Sequence, residues 1–200
     1  KKQQLYKNQV VTESFTIQVT DDQGATANQK LEIVITGSND APIIDVGSGT
    51  SRLIPELIDN NFVNITALDI SKNALETSKM QLGEKSKKIN WINSNILTAK
   101  LPSKVFALWH DRATMHFLTS KEDISNYKKK IFNSLKPNGY ILIMAFAKNG
   151  PDKCSGLPVR KYSINTLSKE FQIYDLLHGE HHSHFTPGGI EQKFITCLFQ

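Results

Sequence analysis

Two acids stand where this chain could do chemistry. Ile43-Ile44-Asp45-Val46 is a short apolar run carrying one acid, and it leads directly into Gly47-Ser48-Gly49-Thr50-Ser51-Arg52. A second apolar run ends in Leu68-Asp69-Ile70, with Asp69 22 positions after Gly47. A Gly-x-Gly turn between a strand and a helix, with an acid closing the next strand, is how an open α/β sheet holds a nucleoside at the carboxyl ends of its strands. The turn departs from the dinucleotide fingerprint in two places. Arg52 occupies the position of the third glycine, which would let helix and strand pack closely. Asp45 lies two residues before the first glycine, where a pyrophosphate would be repelled. An acid at that point suits a cationic or zwitterionic group instead.

A second group of reactive side chains follows the apolar run 105–109: Trp109-His110-Asp111-Arg112, an indole, an imidazole, a carboxylate and a guanidinium in sequence. With an unperturbed pKa of ~6.5, His110 is the candidate general base. The competing reading has His110 and Asp111 capping the following helix or touching the cofactor. His116 reads as structural. Cys154 lies in the loop 149–158, where it is either a plain loop cysteine or a contact for a soft acceptor. Arg160 and Lys161 could hold an acidic substrate or be solvated charges. The histidines of Glu180-His181-His182-Ser183-His184 stand at i, i+1 and i+3. On a strand only His182 and His184 would share a face, and no further ligand is evident, so no metal site is predicted. A lid or acceptor-lining loop turning at Thr186-Pro187-Gly188-Gly189 is the expectation.

Two textures position these residues. Within residues 10–36, Phe15, Ile17 and Val19 alternate with polar neighbours, as do Leu31, Ile33 and Ile35, and Asp21-Asp22-Gln23-Gly24 lies between them. That is a β-hairpin with one apolar face, closed by the linker-like Gly37-Ser38-Asn39-Asp40-Ala41-Pro42. A domain boundary is therefore predicted between 1–42 and 43–200. From Ile43 onward, apolar runs at 43–46, 65–68, 105–109 and 140–146 alternate with helical patterns at 52–60, 72–82 and 121–135. Such alternation predicts an α/β fold with a mostly parallel sheet. Lys136-Pro137-Asn138-Gly139 should stop the third helix. Strands over 171–177 and 190–199, antiparallel to each other, should close the sheet.

Composition narrows the class. The apolar fraction is 39%, and no run approaches the ~18–20 residues of a membrane span. The start, Lys1-Lys2-Gln3-Gln4-Leu5, lacks a signal peptide's apolar core and an initiator Met, which reads as a piece of a longer chain. Net charge is +5; residues 1–42 hold four Lys and five acids, so the excess lies downstream. The clusters Lys85/Lys87/Lys88 and Lys128–Lys130 have no interleaved aromatics for base stacking and read as solvated helix ends, not a nucleic-acid surface. Cys154 and Cys197, 43 residues apart, match no metal or disulfide spacing. Free thiols of a reducing, cytoplasmic compartment follow.

S-adenosylmethionine carries an ammonium and a sulfonium but no phosphate, and so suits Asp45 better than NAD does. Residues 43–200 resemble a class I S-adenosylmethionine-dependent methyltransferase. The resemblance rests on Asp45-Val46-Gly47-Ser48-Gly49-Thr50-Ser51, with Ser51 where the family often has Gly; on Asp69; on Ser94-Asn95-Ile96, where the family usually has Asp; and on Leu135-Lys136-Pro137-Asn138-Gly139-Tyr140-Ile141-Leu142-Ile143. It implies a Rossmann-like seven-stranded sheet, mostly parallel with an antiparallel last strand. It implies cofactor contacts from Asp45, Gly47, Ser48, Gly49 and Thr50, ribose contacts from Asp69, adenine contacts from Asn95, and packing by Ile70, Ile96 and Trp109. Acceptor-lining residues would be His110, Asp111, Arg112, Cys154 and His184. His110–Ala113, Cys154–Val159 and Thr186–Gly189 are similar to a bacterial subgroup of small methyltransferases, which leaves the acceptor open; a small molecule is expected. A protein or RNA methyltransferase would want a motif such as Asn-Pro-Pro-Tyr where Trp109–Arg112 stands. Family members usually have a covering helix before the first strand, where this chain has the hairpin.

The hairpin resembles the end of a VCBS-type, cadherin-like adhesin repeat, through Phe15–Thr26 and Ile33–Pro42. The resemblance implies a composite chain joined near Asp40–Ile44. The competing class is a secreted Ca²⁺-binding adhesion module, which leaves the glycine turn unexplained.

Overall fold

The computed structural model describes residues 10–20, 26–36, 40–186, 189 and 191–200, with side chains from residue 40 onward. The predicted turns at Asp21–Gly24 and Pro187-Gly188, and most of the linker, lie outside these residues. β1 (Val10–Thr20) and β2 (Thr26–Thr36) pair antiparallel from Val10↔Thr36 to Thr20↔Thr26 as a two-stranded sheet of their own.

The main sheet begins at β3 (Ile43–Val46), followed by α1 (Leu53–Asp59), β4 (Ile65–Asp69), α2 (Lys72–Leu82), β5 (Ile89–Asn93), β6 (Phe106–Arg112), α3 (Lys121–Ser134) and β7 (Leu135–Phe146). After β7 come a small ribbon of β8 (Lys153–Cys154) and β9 (Leu157–Pro158), then α4 (Ile164–Glu170), β10 (Leu176–Phe185) and β11 (Glu191–Phe199). The seven strands lie in the order β10-β11-β7-β6-β3-β4-β5. β3, β4, β5, β6 and β7 are mutually parallel, and β11 runs antiparallel to both of its neighbours. This is the expected α/β sheet. Its reversal of strand order falls at β3, where an open α/β sheet places its ligand.

Each face of the sheet has its own core. One packs Ile44, Val46, Trp109, Ile141 and Ile143 with Ile124, Tyr127 and Ile131 of α3 and Leu167 of α4. The other packs Ile43, Ile65 and Leu108 with Ile54 and Leu57 of α1. Strands buried on both faces read as continuous apolar runs, which is why β3, β4 and β7 stand out in the sequence.

Three local expectations change. Residues 171–177 are not a strand: the preceding residues form α4, closed at its start by a reciprocal Ser163–Thr166 capping box, and the strand begins only at Leu176. That strand then runs through the histidine cluster to Phe185, so the predicted loop is β10. Lys136-Pro137-Asn138-Gly139 forms an irregular start to β7, where pairing with β6 jumps from Phe106↔Leu135 to Leu108↔Tyr140.

Candidate active site

The site grows from the exit of β3. After Val46 the chain turns at Gly47 (φ +69°) and Gly49 (φ +50°), and both the Gly47 and Ser48 N–H groups donate to the Leu68 carbonyl of β4 (2.8 and 3.1 Å). A Cβ on Gly47 would lie 1.8 Å from Thr114 Oγ1, whose hydroxyl donates to the Val46 carbonyl at 3.2 Å. Glycine is therefore required by the backbone angle and by the close approach of the β6 end.

Asp69 closes β4 and ties two elements to this turn. Its Oδ2 accepts from the Gly49 N–H (2.8 Å) and its Oδ1 from the Ser71 N–H (2.7 Å), while Ser71 caps α2 by accepting from the Ala74 N–H. Each oxygen keeps a further acceptor site. Ser78 of α2 donates to the Gly49 carbonyl at 2.7 Å. From the end of β5, Asn93 Nδ2 donates to the Asp69 and Ile70 carbonyls (3.1 and 3.0 Å). The side chain of Ile70 is 70% exposed beside these polar groups. Asn95 is exposed, and its Oδ1 accepts from the Leu97 N–H at 2.9 Å; Ile96 is buried. Asn93 and Ser78 escaped the sequence reading. Ser78 was signalled only as a polar residue on the buried stripe of α2, three residues after Leu75.

Asp45 is 1% exposed. Its strand stands in register with β6 so that Asp45 faces His110, and Asp45 Oδ1 lies 2.6 Å from His110 Nδ1. Asp45 Oδ2 is buried with no hydrogen-bond partner among the described residues, as is Ser48 Oγ. Buried polar atoms are normally satisfied, so the strand-end turn carries two unmet bonding groups. One is an acceptor on a carboxylate, suited to an ammonium, and the other is a hydroxyl. The residues present fit the cationic amino-acid end of S-adenosylmethionine, and the Asp69 carboxylate fits its ribose.

Trp109 and Asp111 leave the predicted ligand set. They alternate with His110 and so point to the opposite face of the sheet, under α3. Trp109 is fully buried and donates its indole N–H to Tyr127 Oη at 3.0 Å. Tyr127 in turn makes a short hydrogen bond to Asp111 Oδ2. Asp111, also fully buried, accepts from the Thr114 and Met115 N–H groups and thereby caps the 3₁₀ turn Met115–Phe117. Burial pushes its carboxyl up to about 6 against the opposing effect of these bonds. This is the capping alternative for Asp111. His116, within that 3₁₀ turn, is enclosed between Phe117 and Phe146, and burial lowers its pKa to about 4.

The other acceptor-side candidates spread along this end of the sheet. Arg112 is exposed at the end of β6. Half-buried Cys154 lies in the β8–β9 ribbon, whose exit is fixed by the Arg160 N–H donating to the His116 carbonyl at 2.7 Å. His184 lies on β10 on the same face as His182, which stacks on Phe194 and sets Nε2 3.1 Å from Met144 Sδ. Arg160 pairs with Glu170 at 2.9 Å and Lys161 with Asp152 at 2.6 Å, so both cations have protein partners. Among the described residues no three His, Cys, Asp or Glu side chains converge on a metal position.

Sheet order, strand-end turn and paired acids together define the fold of the S-adenosylmethionine-dependent methyltransferases. Residues 43–139 match the model of a methyltransferase domain family. An S-adenosylmethionine-dependent methyltransferase from Methanosarcina mazei superposes with a TM-score of 0.67 at 15% identity, covering 82% of this chain and 93% of that one. The glycopeptide N-methyltransferase MtfA, solved with S-adenosylmethionine, superposes at 0.59 and 13% identity over 80% of this chain and 81% of that one. Among curated proteins, an EEF1A lysine methyltransferase 2 of Danio rerio is 33% identical over 112 residues, 53% of this chain and 48% of its own length. A ubiquinone biosynthesis O-methyltransferase of Rickettsia canadensis is 26% identical over 158 residues, 78% of this chain and 65% of its own length. The chain thus spans about half to two thirds of these two relatives. No helix among the described residues is long and apolar enough to cross a membrane.

Proposed function

We propose that this protein transfers the methyl group of S-adenosylmethionine to a small-molecule acceptor. The observation that carries the reading is the buried, half-satisfied Asp45 carboxylate two residues before the Gly47–Gly49 turn, which Asp69 in turn braces through the Gly49 N–H. In this reading Asp45, Ser48 and the turn backbone, including Thr50, hold the amino-acid end. Asp69 holds the ribose, and exposed Ile70 packs with Asn95 and Ile96 around the adenine. The bound cofactor supplies a methyl group on a sulfonium; the protein supplies alignment. His110, Arg112, Cys154 and His184 are the acceptor-side candidates. The ubiquinone O-methyltransferase relatives, matched over 158 residues in R. canadensis, favour a small acceptor. The lysine methyltransferase relative, at higher identity over a shorter span, supports a protein acceptor as the second reading. Two unbridged cysteines suit a reducing, cytoplasmic setting, and residues 1–42 are read as a separate, adhesin-like appendage.

The test is the thermal shift produced by S-adenosylhomocysteine. A ligand at a hundred times its Kd stabilises by about 2.7 kcal/mol, which for a chain of this size raises Tm by roughly 5–10 °C. Asp69→Asn, which retains one acceptor oxygen for the backbone, should reduce the shift to near zero. An unmodified protein whose Tm does not move refutes the function.

A further inference from the structure

We infer that His110 is the general base of the reaction, oriented by Asp45, and that the acceptor is therefore a neutral hydroxyl compound of phenolic acidity. This rests on the cofactor reading above and adds to it the acceptor's chemical class.

The geometry starts from strand register. Asp45 and His110 are directly paired on parallel strands, so their side chains leave the same face, and the carboxylate meets Nδ1 at 2.6 Å. A carboxylate only accepts, so Nδ1 carries the hydrogen, and in the neutral ring Nε2 is the nitrogen with the lone pair. Among the described residues none bonds to Nε2, and 12% of the imidazole side chain remains exposed. Asp111, next to it on β6, also interacts electrostatically with the ring. Asp45 faces it from β3; Leu142 stands across from it on β7; Arg112 lies two residues along β6 on the same face. A lone pair held toward the opening, on a ring that a buried carboxylate orients, is the arrangement of a base.

The step balances. The acceptor oxygen bonds to the methyl carbon as the carbon–sulfur bond breaks, with that bonding pair remaining on sulfur. The hydroxyl proton passes to His110 Nε2, and the resulting imidazolium is held by Asp45 until water takes the proton. An acceptor that is already a neutral amine does not need this group to react. A phenolic hydroxyl, with a pKa of ~10, is mostly unionised at neutral pH and does. His110 is then catalytic and Asp45 a positioning residue that also serves the cofactor.

The experiment has two arms on the full chain. Long-range ¹H–¹⁵N spectra of the imidazole should show Nδ1 protonated and Nε2 bare in the unmodified protein, with that preference lost in Asp45→Asn; an Nε2-protonated ring in the unmodified protein overturns the inference. Turnover is then measured with catechol as the neutral hydroxyl probe and aniline as the neutral amine probe. His110→Gln should lose about 10²–10⁴-fold in kcat toward catechol while keeping the S-adenosylhomocysteine thermal shift, which reports folding and cofactor binding. Methylation of aniline alone, or unchanged kcat in His110→Gln, overturns the base and the acceptor class while leaving the cofactor reading standing. Absence of the shift in the unmodified protein removes both.

Discussion

Gly47→Ala tests how closely the cofactor turn is built against the end of β6. The new methyl carbon would stand 1.8 Å from Thr114 Oγ1 and 3.2 Å from Thr114 Cβ, at a backbone φ of +69°. The left-handed angle costs an L-residue about 1–2 kcal/mol, and relieving the overlap by moving Thr114 or the turn adds about 1–3 kcal/mol, a total near 2–5 kcal/mol. Thr114→Ala alone removes one hydrogen bond to the Val46 carbonyl, about 1 kcal/mol. In the double variant the oxygen that clashes is gone and the remaining carbon–carbon approach needs only a few tenths of an ångström. The two substitutions should therefore be sub-additive by about 1–3 kcal/mol. Urea unfolding of the four proteins gives the coupling directly, since independent sites add within about 0.5 kcal/mol. Additivity within that margin would show that Thr114 does not constrain the turn, and the steric reasoning would fail.

Two further outcomes are expected. Asp111, raised to about 6, contributes stability that is complete below its unfolded value and lost as pH rises through 6. His116, lowered to about 4, contributes stability that is complete above ~6.5 and lost as pH falls through 4. At about 1.4 kcal/mol per unit each is worth about 3 kcal/mol and the two oppose each other. His116→Phe should therefore unmask a fall in stability of about 3 kcal/mol between pH 4 and 6, followed by denaturant midpoints; a flat profile refutes it. Removing residues 1–40 should leave the main melting transition nearly unchanged, since among the described residues β1 and β2 form a two-stranded sheet of their own; collapse of the transition would show that the hairpin is integral to the domain.

The frame of the site was legible because β3 and β4 are buried on both faces, so their runs are mainly apolar around the acids, Asp45 within β3 and Asp69 at the end of β4. The turn was legible because few residues other than glycine tolerate it. What stayed hidden was which face of a strand is open. On β6 the sequence alternates Leu108, Trp109, His110, Asp111 and Arg112, and period two separates His110 from Trp109 and Asp111 without saying which set α3 will cover. That depends on the register of β3 against β6 and on where α3 docks, both long-range. The seven-residue α4 was lost for a local reason. Its capping box uses Thr166 in place of the usual Glu or Gln, and the apolar residues that follow it invited a strand. β10 was shortened because its histidine-rich half looks like a polar loop, although its alternating burial is that of an edge strand.

Asp45 shows why stability alone does not explain this site. A carboxylate 1% exposed, with one oxygen bonded to His110 and the other unpartnered, leaves a buried acceptor unsatisfied at about 1–3 kcal/mol. An asparagine would at least carry no charge, and a valine would extend the apolar run of Ile43 and Ile44. Neither could orient His110 through an accepting oxygen while offering a second one to a cation. The two oxygens diverge in role: Oδ1 fixes the imidazole, and Oδ2 is left for the ligand. On the proposed reading, a cationic ligand would satisfy the orphaned oxygen while Oδ1 keeps its contact with His110 Nδ1. On that reading, cofactor binding and orientation of the proposed base act through this one side chain.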